Sequence, residues 1–149
     1  MLAAATICAL ALVVSLVSVS SAGPNVTRIA LVEHATTGTV VDLTANGDST
    51  GDLLTFHNEL FNEANTTAVG SDLGECVRIE VGVSWECSWI NFLEGGSITV
   101  EGPFFDADPS ALAITGGTGI FRGARGSMRL VARDETGTEY DYIFRILNS

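Results

Sequence analysis

The chain has 149 residues and a formal net charge of −11, with eighteen acids, seven arginines and no lysine. A surface this negative repels nucleic acid and anionic membranes and excludes both as expected partners. The length fits one domain with a real core and little room for a second.

From Leu2 to Ala22 no side chain is charged, residues 7–19 are almost continuously apolar, and Ser20-Ser21-Ala22 offers small residues to a signal peptidase. The pattern predicts a cleaved signal peptide over residues 1–22 and a secreted domain over 23–149. The rival is an uncleaved anchor, which ordinarily needs a longer apolar core. Cys8 goes with the leader; Cys76 and Cys87 remain, an even pair in an oxidising compartment, so either a disulfide or a free buried thiol is expected there. Asn25 and Asn65 each begin a glycosylation acceptor triplet, which matters only in a eukaryote.

No stretch of the mature chain keeps a helical apolar period for three turns. β-Branched and aromatic residues come instead in short runs separated by Gly, Asn and Asp, the spacing of an all-β sandwich or barrel. Strands are expected near 26–35, 38–43, 53–60, 67–80, 84–92, 97–105, 110–116, 125–133 and 138–147. The segment after Gly51 has a short helix as its alternative.

In the first strand Ile29, Leu31 and Glu33 share a face, with Arg28, Ala30, Val32 and His34 on the other. A carboxylate in line with apolar residues is either at the rim of a core or inside a cavity, where burial raises its pKa and suits it to acid–base work. Further on, a turn at Val81-Gly82 sets Glu80 opposite Val83, Arg78 opposite Trp85 and Cys76 opposite Cys87. Cys76, Arg78, Trp85, Cys87 and Trp89 then lie on one face. A two-residue turn makes Cys76 and Cys87 a hydrogen-bonded pair, the wider type, which suits a bridge less well.

The run at 97–103 alternates cleanly, with Ile98, Val100 and Phe104 on one side and Thr99 and Glu101 on the other. The glycine-rich segment at 116–126, GGTGIFRGARG, lacks the GKS/T ending of a P-loop and precedes a strand rather than a helix. It reads as a tight turn that uses left-handed glycine conformations, with Phe121 plugging a barrel end.

Several segments resemble known motifs. Residues 51–61, GDLLTFHNELF, resemble the GDLxxFxNxLY segment of allene oxide cyclases. GECV at 74–77, ITVEGPF at 98–104 and LAITGGTGIF at 112–121 resemble their GxCV, ISVQGPY and LAVTGGSGIF. The 116–126 segment is also similar to the GGTGxFRxARG signature of dirigent proteins. The resemblance covers nearly all of residues 26–147. It implies a closed eight-stranded antiparallel β-barrel with an apolar cavity, and commonly a homotrimer.

By the same resemblance Glu33 is the glutamate that points into the cavity, Asn58 a polar cavity group and Cys76 the cysteine at the barrel base. Ala35 stands where the family has an asparagine, and residues 38–49 hold no match for its Ser-Pro pair. The water site of the cyclases is therefore not carried over, and the implied chemistry is that of the barrel rather than strict allene oxide cyclase activity.

A narrow apolar barrel steers cyclisation by excluding water and holding one folded conformer. Glu33 is the candidate catalytic group and Asn58 its candidate orienting partner. Phe56, Trp85 and Trp89 are candidate walls, or alternatively plain core. Arg78 either binds a substrate carboxylate or neutralises a neighbouring acid such as Glu80. No cofactor and no metal is expected; His34 and His57 have no ligand at metal spacing, and Asp106 and Asp108 sit in a Pro-bearing loop. The expected partner is a hydrophobic small molecule. The expected function is guided cyclisation or stereoselective coupling, with a non-catalytic carrier of an apolar ligand, or a barrel filled by its own side chains, as alternatives.

Overall fold

The computed structural model describes residues 25–43 and 47–147 of the chain. The expected leader with Cys8 lies outside the described residues, and so do residues 44–46 of the 38–49 segment that the motif comparison bears on.

Nine strands follow one another: β1 Val26–His34, β2 Thr39–Val41, β3 Leu53–Asn62, β4 Ala68–Glu80, β5 Ser84–Leu93, β6 Gly96–Phe105, β7 Ser110–Gly117, β8 Gly126–Ala132 and β9 Glu139–Leu147. The segment after Gly51 is strand, so its helical alternative falls. Every neighbouring pair is antiparallel, and β1 closes the sheet by pairing with β9 on one side and β3 on the other. Eight strands thus form a closed barrel without free edges. The short β2 lies outside the eight and continues the line of β1 along β3.

Period-two alternation decides which residues face inward. The floor is packed with Leu60, Ile98, Leu112, Met128 and Phe144, all 1% exposed or less. Each such side chain contributes about 1.5–3 kcal/mol by leaving water. Below them a 3-10 turn, Gly119–Phe121, carries Phe121 against the core, as the plug reading expects. Gly119 adopts φ +58, and a Cβ there would sit 1.9 Å from the Gly95 carbonyl oxygen. Only glycine fits where this turn lies across the β5–β6 connection.

The β4–β5 hairpin pairs Cys76 with Cys87 and Arg78 with Trp85, as the sequence predicts. At its tip the prediction needs correction. Glu80 faces Ser84, not Val83, because a bulge falls between Arg78 and Glu80 and the connection takes three residues. The hydrogen-bond phase of a two-residue turn then no longer applies. Cys76 and Cys87 stand 4.0 Å apart at Cα, as in the closer type of cross-strand pair, and are joined as a disulfide.

Candidate functional site

The floor fills only part of the barrel. Toward the end where β1 finishes and β4 meets β5, the interior opens as a cavity of about 210 Å³. Its wall includes Phe56, Trp89, Tyr140 and Tyr142, the Cys76–Cys87 bridge, and the polar side chains of Glu33 and Asn58. Gly74 makes room on β4. A Cβ there would meet Trp89 Cβ at 2.2 Å, so the missing side chain lets the indole stand upright across the strand pair. Phe56 packs edge-on against Trp89 at 5.9 Å, and Trp89 leans on Tyr142 at 5.8 Å.

Glu33 and Asn58 meet because β1 and β3 close the barrel. β1 leaves the ladder after His34–Glu59, and β2 rejoins it at Thr39–Thr55. The Asn58 side chain fills the gap. Its Oδ1 accepts the backbone N–H groups of Thr36 and Thr37, each at 3.0 Å, and the Thr37 hydroxyl at 3.0 Å. These donors fix the amide orientation, and Nδ2 is left to donate to Glu33 Oε1 at 2.7 Å. Asn58 is thus a clamp on the strand break as well as a partner of the carboxylate.

A second acid completes the cluster. Asp72 on β4 is fully buried, and its Oδ1 accepts the Asn58 backbone N–H at 3.1 Å. Its Oδ2 accepts no well-formed hydrogen bond. Burial and the two neighbouring acids, Glu33 and Asp72, raise the Tyr142 pKa well above the usual phenol value. Burial, followed by the negative charge of Glu33, pushes Asp72 up to about 8. Burial also raises Glu33, while hydrogen bonds from Tyr142, Asn58 and Asp72 oppose the rise.

Two adjacent carboxyls out of water do not both ionise near neutral pH. Glu33 has the donors and is the better seat for the anion. Asp72 holds the proton, with Oδ2 free to carry it. The cavity therefore offers one anion at its wall and one proton directly behind it.

Sequence reasoning missed Asp72 and both tyrosines. Asp72 was within reach: the face that carries Cys76 and Arg78 runs back through Gly74 to residue 72. The tyrosines occupy alternate inward positions of β9, but only closure of β9 on β1 sets Tyr142 beside Glu33.

Arg78 and Trp85 are corrected in place. Neither is among the residues that line the cavity. The Arg78 guanidinium binds Asp48 and Asp106, each at 2.7 Å, and stacks 3.9 Å over the Trp85 ring. Trp85 Nε1 donates to Asp106 at 3.1 Å. Arg78 thus neutralises acids from two loops, Asp48 and Asp106 rather than Glu80, and is not free for a substrate carboxylate. His34 stacks on Phe61 and contacts Asn65 on the outside of the barrel.

The sequence profile of the allene oxide cyclase family matches residues 32–133. Among solved structures, a pyocyanin demethylase is similar at 23% identity and TM-score 0.67, over 79% of this chain and all of that one. A pterocarpan synthase dirigent protein is similar at 17% identity and TM-score 0.70, over 83% of this chain and 96% of that one. An exo-specific intermolecular Diels-Alderase is similar at 14% identity and TM-score 0.66, over 83% of this chain and 99% of that one. At these identities the solved structures bear on the fold alone, and they share this barrel.

Proposed function

This chain belongs to the allene oxide cyclase family, and from that premise we propose that it is a secreted barrel that guides cyclisation or stereoselective coupling of a small, largely apolar molecule. The observation that carries the reading is the open aromatic cavity with the buried Glu33 carboxylate in its wall. The fold is shared with a pterocarpan synthase dirigent protein and with an exo-specific intermolecular Diels-Alderase. That likeness supports a barrel whose contribution is confinement.

In this reading the aromatic walls exclude water and select one folded conformer of a reactive substrate. Glu33 faces the reacting atoms as the anion. It stabilises positive charge that develops in the transition state, or accepts a proton there. Asn58 orients Glu33 and holds the strand break closed. Asp72 does not touch substrate; protonated behind Glu33, it keeps the pair at a single negative charge. Phe56, Trp89 and the Cys76–Cys87 bridge shape the slot.

The test offers the protein reactive phenoxyl or epoxidised polyunsaturated substrates and reads product stereochemistry by chiral chromatography. The protein is expected to bias the product ratio, and Glu33→Gln is expected to cut that bias by at least about tenfold while the fold is kept. An unbiased mixture with the natural protein rejects the catalytic reading. Native mass spectrometry showing a retained, unaltered ligand would then favour the carrier alternative. Export is tested by the N-terminus of the secreted chain, expected at Gly23.

A further inference from the structure

The cavity and the surface outside it carry one sign of charge. Among the described residues Glu33 is the only acid or base of ordinary pH range in the cavity wall, and no arginine lines it; the sequence has no lysine at all. Phe104, Leu130, Gly137 and Tyr140 line both the cavity and an adjoining depression of about 500 Å³, whose lining includes Asp106, Asp108, Asp134 and Glu135 and, among the described residues, no basic one.

Of these four acids Asp106 is neutralised, and the charge of the depression rests on Asp108, Asp134 and Glu135. The Asp134 carboxylate accepts the hydroxyls of Thr136 and Thr138 at 2.7 Å each, and these bonds hold its pKa well below the ordinary range. Arg133, its neighbour in sequence, is turned to Glu139 and Asp141. Asp106 is paired with Arg78, which also serves Asp48.

The walls suit the same sign. Faces and edges of Phe56, Trp89, Phe104 and Tyr140 surround the space, and aromatic faces attract cations. Trp89 is 3% exposed and lines the cavity with its ring.

We infer that the cavity takes a small, flat aromatic cation and rejects molecules that enter with a carboxylate. The inference rests on the reading of the cavity as a small-molecule site and narrows its ligand. The acidic depression gathers the cation from solution, and Glu33 and the aromatic faces hold it inside. A carboxylate would meet the acids at the mouth and find no cationic partner within.

Three probes of nearly one shape test this: 6-methoxy-N-methylquinolinium, neutral 2-methoxynaphthalene and anionic 6-methoxy-2-naphthoate. Binding is read by calorimetry on the full secreted chain at low salt. The quinolinium is expected to bind roughly tenfold more tightly than the neutral probe, and the naphthoate not measurably. Added salt narrows the gap through its screening of the mouth. Asp108→Asn with Glu135→Gln narrows it in the same way, and Glu33→Gln removes the remainder; circular dichroism confirms that each variant is folded. Naphthoate binding as tightly as quinolinium overturns the inference. Equal binding of the neutral and cationic probes overturns it also, while leaving the apolar-cavity reading intact. Binding of none of the three overturns both.

Discussion

The two ends of the barrel interior are built by the same strands on the same alternation, and they are opposites. In the floor, inward positions carry Leu60, Ile98, Leu112, Met128 and Phe144, packed to near-zero exposure. In the open end inward positions carry Glu33, Asn58 and Trp89 around empty space, with Asp72 buried behind them. The floor is apolar except for Asn91, which donates to the Ile98 carbonyl, while the open end breaks the rule that inward means apolar with two neighbouring carboxyls and an amide. A cluster of violations on a well-formed fold marks a functional region whose cost is offset elsewhere. Here the offset is adjacent: the packed floor stabilises the barrel that holds two buried carboxyls apart from water.

This division predicts that stability and activity separate along the barrel axis. The largest effect is expected in the floor. Phe144→Ala should cost about 3–5 kcal/mol in urea denaturation, because it removes a fully buried ring and leaves a cavity. Phe104→Ala at the open end should cost far less, since Phe104 is only partly buried beside existing space. Equal losses would erase the distinction.

The disulfide comes next, because it ties the wall of the open end. Cys76 and Cys87 are separated by 11 positions, and breaking a bridge over such a loop costs about 2–3 kcal/mol. Replacing both by alanine should lower the urea midpoint accordingly and widen the cavity wall, which a loss of stereochemical bias would report.

The register of that pair was legible in sequence, as were the nine strand runs, because alternation and turn residues are local signals. The bulge at Glu80 was not, since a three-residue turn differs from a two-residue one only in backbone conformation. Glu33 was visible as a carboxylate on an apolar face, but rim and cavity look alike until the barrel closes. Its partners are set by that closure. β1 pairs with β3 at 25 to 31 positions along the chain and with β9 at 105 to 121, and no local pattern places Asp72 or Tyr142 beside it.

The carboxyl pair gives the two ends different responses to pH. Both Glu33 and Asp72 titrate above their ordinary range, Asp72 near 8. Between about pH 4 and 8 the folded chain therefore holds more protons than the unfolded one, and stability falls as pH rises. The contribution is complete below the unfolded carboxyl range and lost as pH passes through the folded value. Asp134, held low by its threonines, acts in the opposite direction but only in acid. Urea midpoints of the natural protein should thus decline from pH 5 to pH 8, and those of Asp72→Asn should decline markedly less. An unchanged slope in the variant would remove Asp72 from the pair.

The smallest expected effect tests whether the clamp on the strand break works independently of the floor. The Thr37 hydroxyl donates to the His57 carbonyl at 2.6 Å and accepts the His57 N–H at 2.8 Å, beside Asn58 Oδ1. Thr37→Val keeps the shape and loses these bonds, at a cost of about 1 kcal/mol because the site is exposed and water replaces the partner. If the clamp and the floor are separate structures, this loss should add to that of Phe144→Ala within about 0.5 kcal/mol. A larger coupling would mean that the strand break and the floor move as one, and the open end would then owe its geometry to the packing below it rather than to its own hydrogen bonds.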